Sequence, residues 1–479
     1  MMGSAGNSLA RVAGVLLFLA LAGCGSRTPV TPTPTPVASF TPTRTPTSTP
    51  TPTSPPTPAA TPTPTSTPTA APVPFAAWTR NVGSPEWDRG NAAAVGGSGN
   101  IIVAGATQGA LPGQTSAGSW DMFAQEFTPA GVDLRAYQSG SSGSDGALAM
   151  AVDGSENVIL VGHTDGSLPG QTNIGLDDAF VRKLSPSGAE LWTRQFGSSE
   201  PDWAFGVTTD GSGNIIVAGG ADATLPGQTS AGLEDAFLRK FSPAGAELWT
   251  RQFGSTATDR ANVVAVDGSG NIIVAGYTYG TLPGQTSAGL EDAFVRKFSP
   301  EGAELWTHQF GSTDSDRAFG VAADGSGNIF VAGYTWGTLP GQTHAGSWDA
   351  FVRKLSPAGA ELWTHQFGTS LADEAFGIAV DKTGNAFVAG ITEGTLPGQT
   401  SAGAHDAFVR KLSPSGAELW TRQFGTSQSD PVTSVAVDGS GNIIVVGHTY
   451  GAFPGQTNAG SWDAFVVRLN EPLAPRPGG

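Results

Sequence analysis

Apolar residues in this chain come in short bursts separated by polar links. Residues 316–368 read DRAFGVAADGSGNIFVAGYTWGTLPGQTHAGSWDAFVRKLSPAGAELWTHQFG, and four segments there, 319–323, 328–333, 350–355 and 361–367, are rich in β-branched and aromatic side chains. Gly, Pro, Ser or Asp bounds each segment, and none has the length or the 3.6-residue period of a helix, so each is predicted to be a strand. DGSG, between the first two, and SPAG, between the last two, predict tight hairpin turns.

The same pattern recurs along the chain. A Leu or Phe followed by Pro-Gly-Gln-Thr begins at Leu111, Leu168, Leu225, Leu282, Leu339, Leu396 and Phe453, always 57 residues apart, and seven such units fill residues 75–473 without remainder. Four short antiparallel strands repeated seven times predict an all-β fold, a seven-bladed β-propeller. A right-handed β-helix would ask for shorter coils and parallel strands rather than two hairpins per unit. Residue size orders the strands within a blade. The segment before DGSG is small, as in Gly320-Val321-Ala322-Ala323, and suits the crowded axis. The segment carrying Trp78, Trp192, Trp249, Trp306, Trp363 or Trp420 suits the rim, with Arg135 standing in for Trp in one unit. The domain opens on such a rim segment, AAWTRNVG, and closes on a third-strand segment, DAFVVRLN. The N-terminal strand is therefore expected to complete the last blade and leave no free edge.

Ahead of the repeats the sequence changes character. One cation, Arg11, precedes the apolar run VAGVLLFLALAG at 12–23, which is too short to span a bilayer and reads as a signal peptide over residues 1–23. Leu21-Ala22-Gly23-Cys24 resembles the lipobox of bacterial lipoproteins, whose cysteine becomes the lipidated first residue. That resemblance implies a membrane anchor through Cys24, and Gly25 after it implies the outer membrane or cell surface. Cys24 is the only cysteine in 479 residues, which fits lipidation and an exported domain without disulfides. Residues 24–74 alternate Thr, Ser and Pro; with φ fixed, donors removed and no apolar surface to bury, they are expected to form a disordered stalk. At roughly 3.1 Å per residue it would reach on the order of 100 Å. Residues 474–479 are expected to be a structureless tail.

All 40 acidic residues follow residue 74, as do all cations but Arg11, Arg27 and Arg44, leaving 21 cations against 40 carboxylates and a net charge of −19. That balance argues against nucleic acid as a partner. Because adjacent strands alternate in direction, PGQT and the loop entering the inner strand are expected on one face, with the DGSG and SPAG turns on the other. Two Asp recur on the PGQT face in every unit. One set precedes the inner strand: Asp88, Asp145, Asp202, Asp259, Asp316, Asp373 and Asp430. The other opens the third strand: Asp121, Asp178, Asp235, Asp292, Asp349, Asp406 and Asp463. Rings of metal ligands are one reading, but sameness in every blade is what a scaffold needs, so each carboxylate is expected to cap its loop by accepting backbone N–H bonds. DGSGN lacks the glycine at position six and the distal Glu of a calcium loop. No cofactor is predicted, calcium being the one left open. PGQT suits a type II turn, with Pro second and Gly third, and reads as scaffold.

Positions that differ between units are the better candidates for function. Before each PGQT stands Gln108, Asp165, Asp222, Tyr279, Trp336, Glu393 or Tyr450; before each third-strand Asp stands Trp120, Asp177, Glu234, Glu291, Trp348, His405 or Trp462. Trp87 and Trp203 flank the inner-strand Asp in two units. Aromatic faces beside carboxylates bind sugars, peptides and cationic groups, so Trp87, Trp120, Trp203, Tyr279, Trp336, Trp348, Tyr450 and Trp462 are the ligand-binding candidates. No catalytic constellation is evident: HExxH, GxSxG and a glycine-rich phosphate loop are all missing, and the six histidines are scattered.

AVDGSGNIIVAGYT followed by DAFVRKFSPEGAELW resembles the bacterial SBBP-type β-propeller repeat, over the whole repeat domain. The resemblance implies a propeller in a lipid-anchored or secreted surface protein, and says little about function. The expectation is a monomeric, non-catalytic binding module for a glycan, peptide or protein on its loop-rich face. A hydrolase or lyase with a face-centred site and a calcium-dependent structural envelope protein are the other readings the residues leave open.

Overall fold

The computed structural model describes residues 76–471. The signal-like segment, Cys24 and the Thr/Pro-rich run lie outside the described residues. Within them, 28 strands form seven four-stranded antiparallel sheets. Blades 1 to 6 cover residues 88–139, 145–196, 202–253, 259–310, 316–367 and 373–424, and in each the strands lie in chain order from axis to rim. Blade 7 takes its three inner strands from 432–469, and its rim strand is Ala76–Val82, paired with Asp463–Leu469. The ring is thus closed by the N-terminal strand, as the chain ends implied.

The inner strand departs from its apolar pattern in one respect. In blade 5 it runs Asp316–Ala323 and starts on three residues the pattern left out, because Asp316, Arg317 and Ala318 pair with Thr335, Tyr334 and Gly333. The register then shifts between Ala318 and Gly320, which leaves Phe319 as a bulged residue. The bulge recurs in every blade. Such an extra residue bends a strand and re-aims side chains.

DGSG makes the first hairpin by a local network. In blade 4, Asp267 accepts the N–H groups of Ser269 and Asn271, both at 2.9 Å, and Gly270 takes φ +83°. Lys297, from the third strand, reaches the same carboxylate at 2.8 Å, with both side chains buried. Burial works against the charge, yet Lys297, Asn271 and the backbone donors hold Asp267 below its ordinary range. Blade 1 lacks this pair: Gly96 replaces the Asp and Glu126 the Lys, and Glu126 pairs instead with Arg135 at 2.7 Å. A cleft of about 230 Å³ opens there on the DGSG face, with Glu126, Arg135, Tyr137, Glu156 and Pro186 among its lining.

The core lies between blades. Seven apolar clusters each combine two adjacent blades, one for every junction of the ring; that between blades 4 and 5 joins Ile273, Ala275 and Val295 to Val321, Val331 and Phe351. Rim tryptophans add a directional tie: Nε1 of Trp192 donates to the Pro243 carbonyl of the next blade at 3.1 Å, and Trp78, Trp306 and Trp363 do the same. Arg135, in place of Trp in blade 1, donates to the matching carbonyl of Pro186. Third-strand arginines bridge as well, the Arg353 guanidinium lying 4.0 Å from the ring centroid of Phe310 in the preceding blade.

Candidate functional site

In six of the seven blades the PGQT face is organised around a glutamine of the rim strand, buried at Gln138 and half-buried elsewhere, with Asn81 at the equivalent place in blade 7. In blade 4, Gln309 of the rim strand accepts from the N–H of Leu282 at 2.9 Å and donates through Nε2 to Asp292 at 2.7 Å and to the Gly280 carbonyl at 2.8 Å. Gln285, the Gln of PGQT, returns the tie by accepting the Gln309 N–H at 3.1 Å. Leu282 is buried, the Gln285 N–H bonds the Leu282 carbonyl at 3.0 Å, and Gly284 has φ +75°. These are the bond and the dihedral of a type II turn. Leu282, Gly284 and Gln285 thus hold the loop.

The two Asp sets meet at the blade junctions. Each inner-strand Asp accepts from the residue four before it, as Asp316 does from the N–H and hydroxyl of Ser312 at 2.6 and 3.0 Å. Each third-strand Asp accepts likewise, as Asp292 does from Ala288 at 2.8 Å. A glycine separates the pair: a methyl on Gly311 would stand 2.6 Å from Asp292 Oδ1 and 2.5 Å from Asp316 Oδ2. Equivalent pairs are Asp463 with Asp88, Asp121 with Asp145, Asp178 with Asp202, Asp235 with Asp259, Asp349 with Asp373 and Asp406 with Asp430. Both members are almost fully buried, and the Oδ1 atoms of most lack a hydrogen-bond partner among the described residues. Burial pushes the inner-strand carboxyls up, Asp88 and Asp316 to about 6 and Asp202 to about 7, and the facing Asp adds to the push. No group of three or more His, Cys, Asp or Glu able to hold a metal occurs among the described residues.

Above this uniform layer the blades differ. At five junctions a backbone bridge joins the residue before a third-strand Asp to the residue before the next blade's inner-strand Asp, as in Trp348 with Ala372 and Trp462 with Trp87. They bring the variable positions of neighbouring blades side by side. At blade 5 an aromatic column runs inward from the surface: Trp336 stacks on Trp348 at 5.3 Å, Trp348 on buried Tyr334 at 5.6 Å, and Tyr334 on Phe319 at 5.5 Å. Trp336 is 43% exposed, Tyr279 47% and Trp87 39%, while Trp120, Trp203, Trp348 and Tyr450 are half-buried. Trp462 differs from its fellow candidates. At 2% exposed it lies beneath Trp87, Tyr450 and His448 and serves as the floor of a cluster, since its place at the seam of blades 7 and 1 covers both its faces. Trp203 stacks on His163 at 4.4 Å.

Of the residues just after each inner-strand Asp the strand pattern singles out Trp203 alone, and the structure puts the whole column at the centre of this asymmetry. Here stand Arg89, Gly146, Trp203, Arg260, Arg317, Glu374 and Pro431. Arg260 and Arg317 each pair with a Glu of the preceding blade, Glu234 and Glu291. Glu374 is buried, and burial with Glu393 nearby pushes it up to about 8. Variation from unit to unit, applied to this column too, was the signal that could have found them.

The repeats match a known family model. Residues 248–283, 305–340, 362–396 and 419–454 fit the SBBP beta-propeller repeat. Four of the seven units thus match that repeat. The chain is also similar to Regulatory protein FlaEY of Caulobacter vibrioides, 26% identical over 297 residues, 55% of this chain and 31% of that protein. An uncharacterized WD repeat-containing protein of Acanthamoeba polyphaga mimivirus is 26% identical over 252 residues, 41% of this chain and 18% of that one. The chain thus spans about a third or less of the length of these curated relatives. Among solved structures, the chain is similar to the Neurospora crassa Pan2 WD40 domain (TM-score 0.46, 12% identity, 79% of this chain and 89% of that one). It is also similar to the polysaccharide lyase Uly1 (TM-score 0.46, 10% identity, 80% and 90%).

Proposed function

We propose that this propeller is a non-catalytic binding module that holds a ligand on its PGQT face, carried on a bacterial surface by a lipid on Cys24 and a Thr/Pro stalk. One observation supports this reading above others: the blades share their hairpins, PGQT loops and Asp pairs, yet differ at the adjoining positions that expose Trp87, Tyr279 and Trp336. A ring needs sameness to close, whereas a site for one ligand needs a surface whose parts are unlike. Exposed indole and phenol rings beside carboxylates and guanidinium groups suit a polyhydroxylated ligand, whose C–H faces stack while its hydroxyls bond. A glycan is therefore the favoured ligand class.

The test is binding of the full chain to glycan and peptide arrays, with and without chelator, followed by Trp336→Ala and Trp348→Ala. Trp336 is expected to matter most, because it is the exposed end of the column; its loss should weaken a bound glycan about tenfold or more, the range for one stacking anchor. Unchanged affinity in both variants would remove the aromatic column from the site.

A further inference from the structure

Arg89 is set apart from the other cations on this face. Arg260, one residue after its inner-strand Asp, donates from Nε and Nη2 to both oxygens of Glu234 at 2.7 Å, and Arg317 grips Glu291 through the same two nitrogens. Arg89 holds that position in blade 1, but the preceding blade supplies Trp462 where the others supply Glu. Its guanidinium carbon lies 5.1 Å from the ring centroid of Trp462 and 5.2 Å from that of Trp120. The guanidinium makes no ion pair or hydrogen bond among the described residues, and its Nε is buried with no acceptor. His448, stacked on Trp462 at 4.4 Å, is held neutral by burial and by Arg89, pushed down to about 3. Arg89 is then the charge this cluster presents.

We propose that Arg89, between Trp120 and Trp462, binds the carboxylate of an acidic sugar, a uronate residue of a glycan, presented to the PGQT face. This rests on the reading of that face as a glycan-binding surface. The repeat itself shows the chemistry: two other junctions seat a carboxylate on the equivalent arginine in bidentate fashion, and a planar guanidinium held against indole rings is already oriented for one. Trp87, exposed and stacked on Trp462 at 5.4 Å, offers an aromatic face beside it for a pyranose ring. A peptide fits less well, because it would need free backbone donors. The nearby ones are engaged: Asp88 N–H with the Trp462 carbonyl at 2.8 Å, Gln108 with Trp87 at 2.9 Å and Tyr450 with Ser429 at 3.1 Å.

Titration calorimetry of the full chain with oligogalacturonate, its neutral methyl ester and a glutamate-rich peptide tests this, using Arg89→Gln and Arg89→Lys beside the parent. Oligogalacturonate should bind, the methyl ester should bind much more weakly, and Arg89→Gln should lose about 10- to 100-fold in affinity, the range for removing a charge-assisted hydrogen bond. Arg89→Lys should recover only part of it, since an ammonium cannot make the fork. Circular dichroism melts of both variants establish that each is folded. Equal binding of acid and ester, or an unaltered affinity in a folded Arg89→Gln, overturns the proposal, as does Arg89-dependent binding of the peptide alone. If Arg89→Gln is silent while Trp336→Ala releases a glycan, the uronate site falls and the binding face stands. If no glycan binds the chain at all, both fall.

Discussion

At a single residue, one tight constraint at each blade junction is the glycine between two buried carboxyls. A methyl on Gly254 would stand 2.6 Å from Asp235 Oδ1 and 2.6 Å from Asp259 Oδ2, both inside any tolerable contact. Gly254→Ala is expected to cost about 1–3 kcal/mol, the usual range for overpacking a site that cannot relax, read as a lower urea midpoint at constant slope. The Lys297–Asp267 pair is the other residue-scale device. Lys297→Met strands a buried carboxylate and should cost about 3–5 kcal/mol, whereas adding Asp267→Asn should recover much of the loss. Equal stability of the single and double variants would mean that the ammonium contributes nothing beyond its stem. Glu156 shows the same logic of compensation. It sits at φ +63° where other blades have glycine, and its carboxylate accepts from the Gly97 N–H at 2.6 Å in the blade that lacks the hairpin Asp.

At the scale of the element, one strand carries more than its length implies. Ala76–Val82 pairs along Asp463–Leu469 and brings Trp78, whose indole bonds the Pro129 carbonyl of blade 1 at 3.0 Å. Deleting residues 75–83 should open blade 7, lower the melting temperature and promote association through the bared edge of Asp463–Leu469. Light scattering together with a thermal melt checks this, and an undiminished cooperative melt would contradict ring closure. Most strand positions were legible from alternation and turn residues. The extra turn-proximal residues of each inner strand were not, because Asp316 and Arg317 look like loop until Thr335 and Tyr334 pair with them across the blade.

Across the whole molecule, seven acid pairs act together. A carboxyl whose folded pKa exceeds its unfolded value stabilises the fold while it is protonated. That contribution is complete below about pH 4 and is lost as pH rises through the folded values, about 6 for Asp88 and Asp316 and about 7 for Asp202. Asp145, Asp259, Asp373 and Asp430 are raised as well, and Glu374 to about 8. His308, His365 and His448, held neutral, work the other way, but they are fewer. The melting temperature is expected to fall between about pH 4 and 7 and to be indifferent to chelator. A flat profile with a large drop on adding chelator would mean that the pairs are ionised and bridged by a cation, with calcium the first to try.

Sequence alone determined the blade count, the order of strands from axis to rim, the closure by the first strand and the scaffold character of PGQT. All of these follow from local chemistry repeated at a constant interval: turn residues, side-chain size and the 57-residue spacing each carry their meaning wherever they occur. Tertiary structure decided what happens between blades. Only the ring brings Asp463 to Asp88, buries Trp462 under Trp87, and sets Arg89 where its counterparts Arg260 and Arg317 meet a glutamate. Those contacts join residues about half a repeat or nearly the whole chain apart and in different blades, so local pattern does not reveal them, and whether a charge is paired or left for a ligand depends on the neighbouring blade.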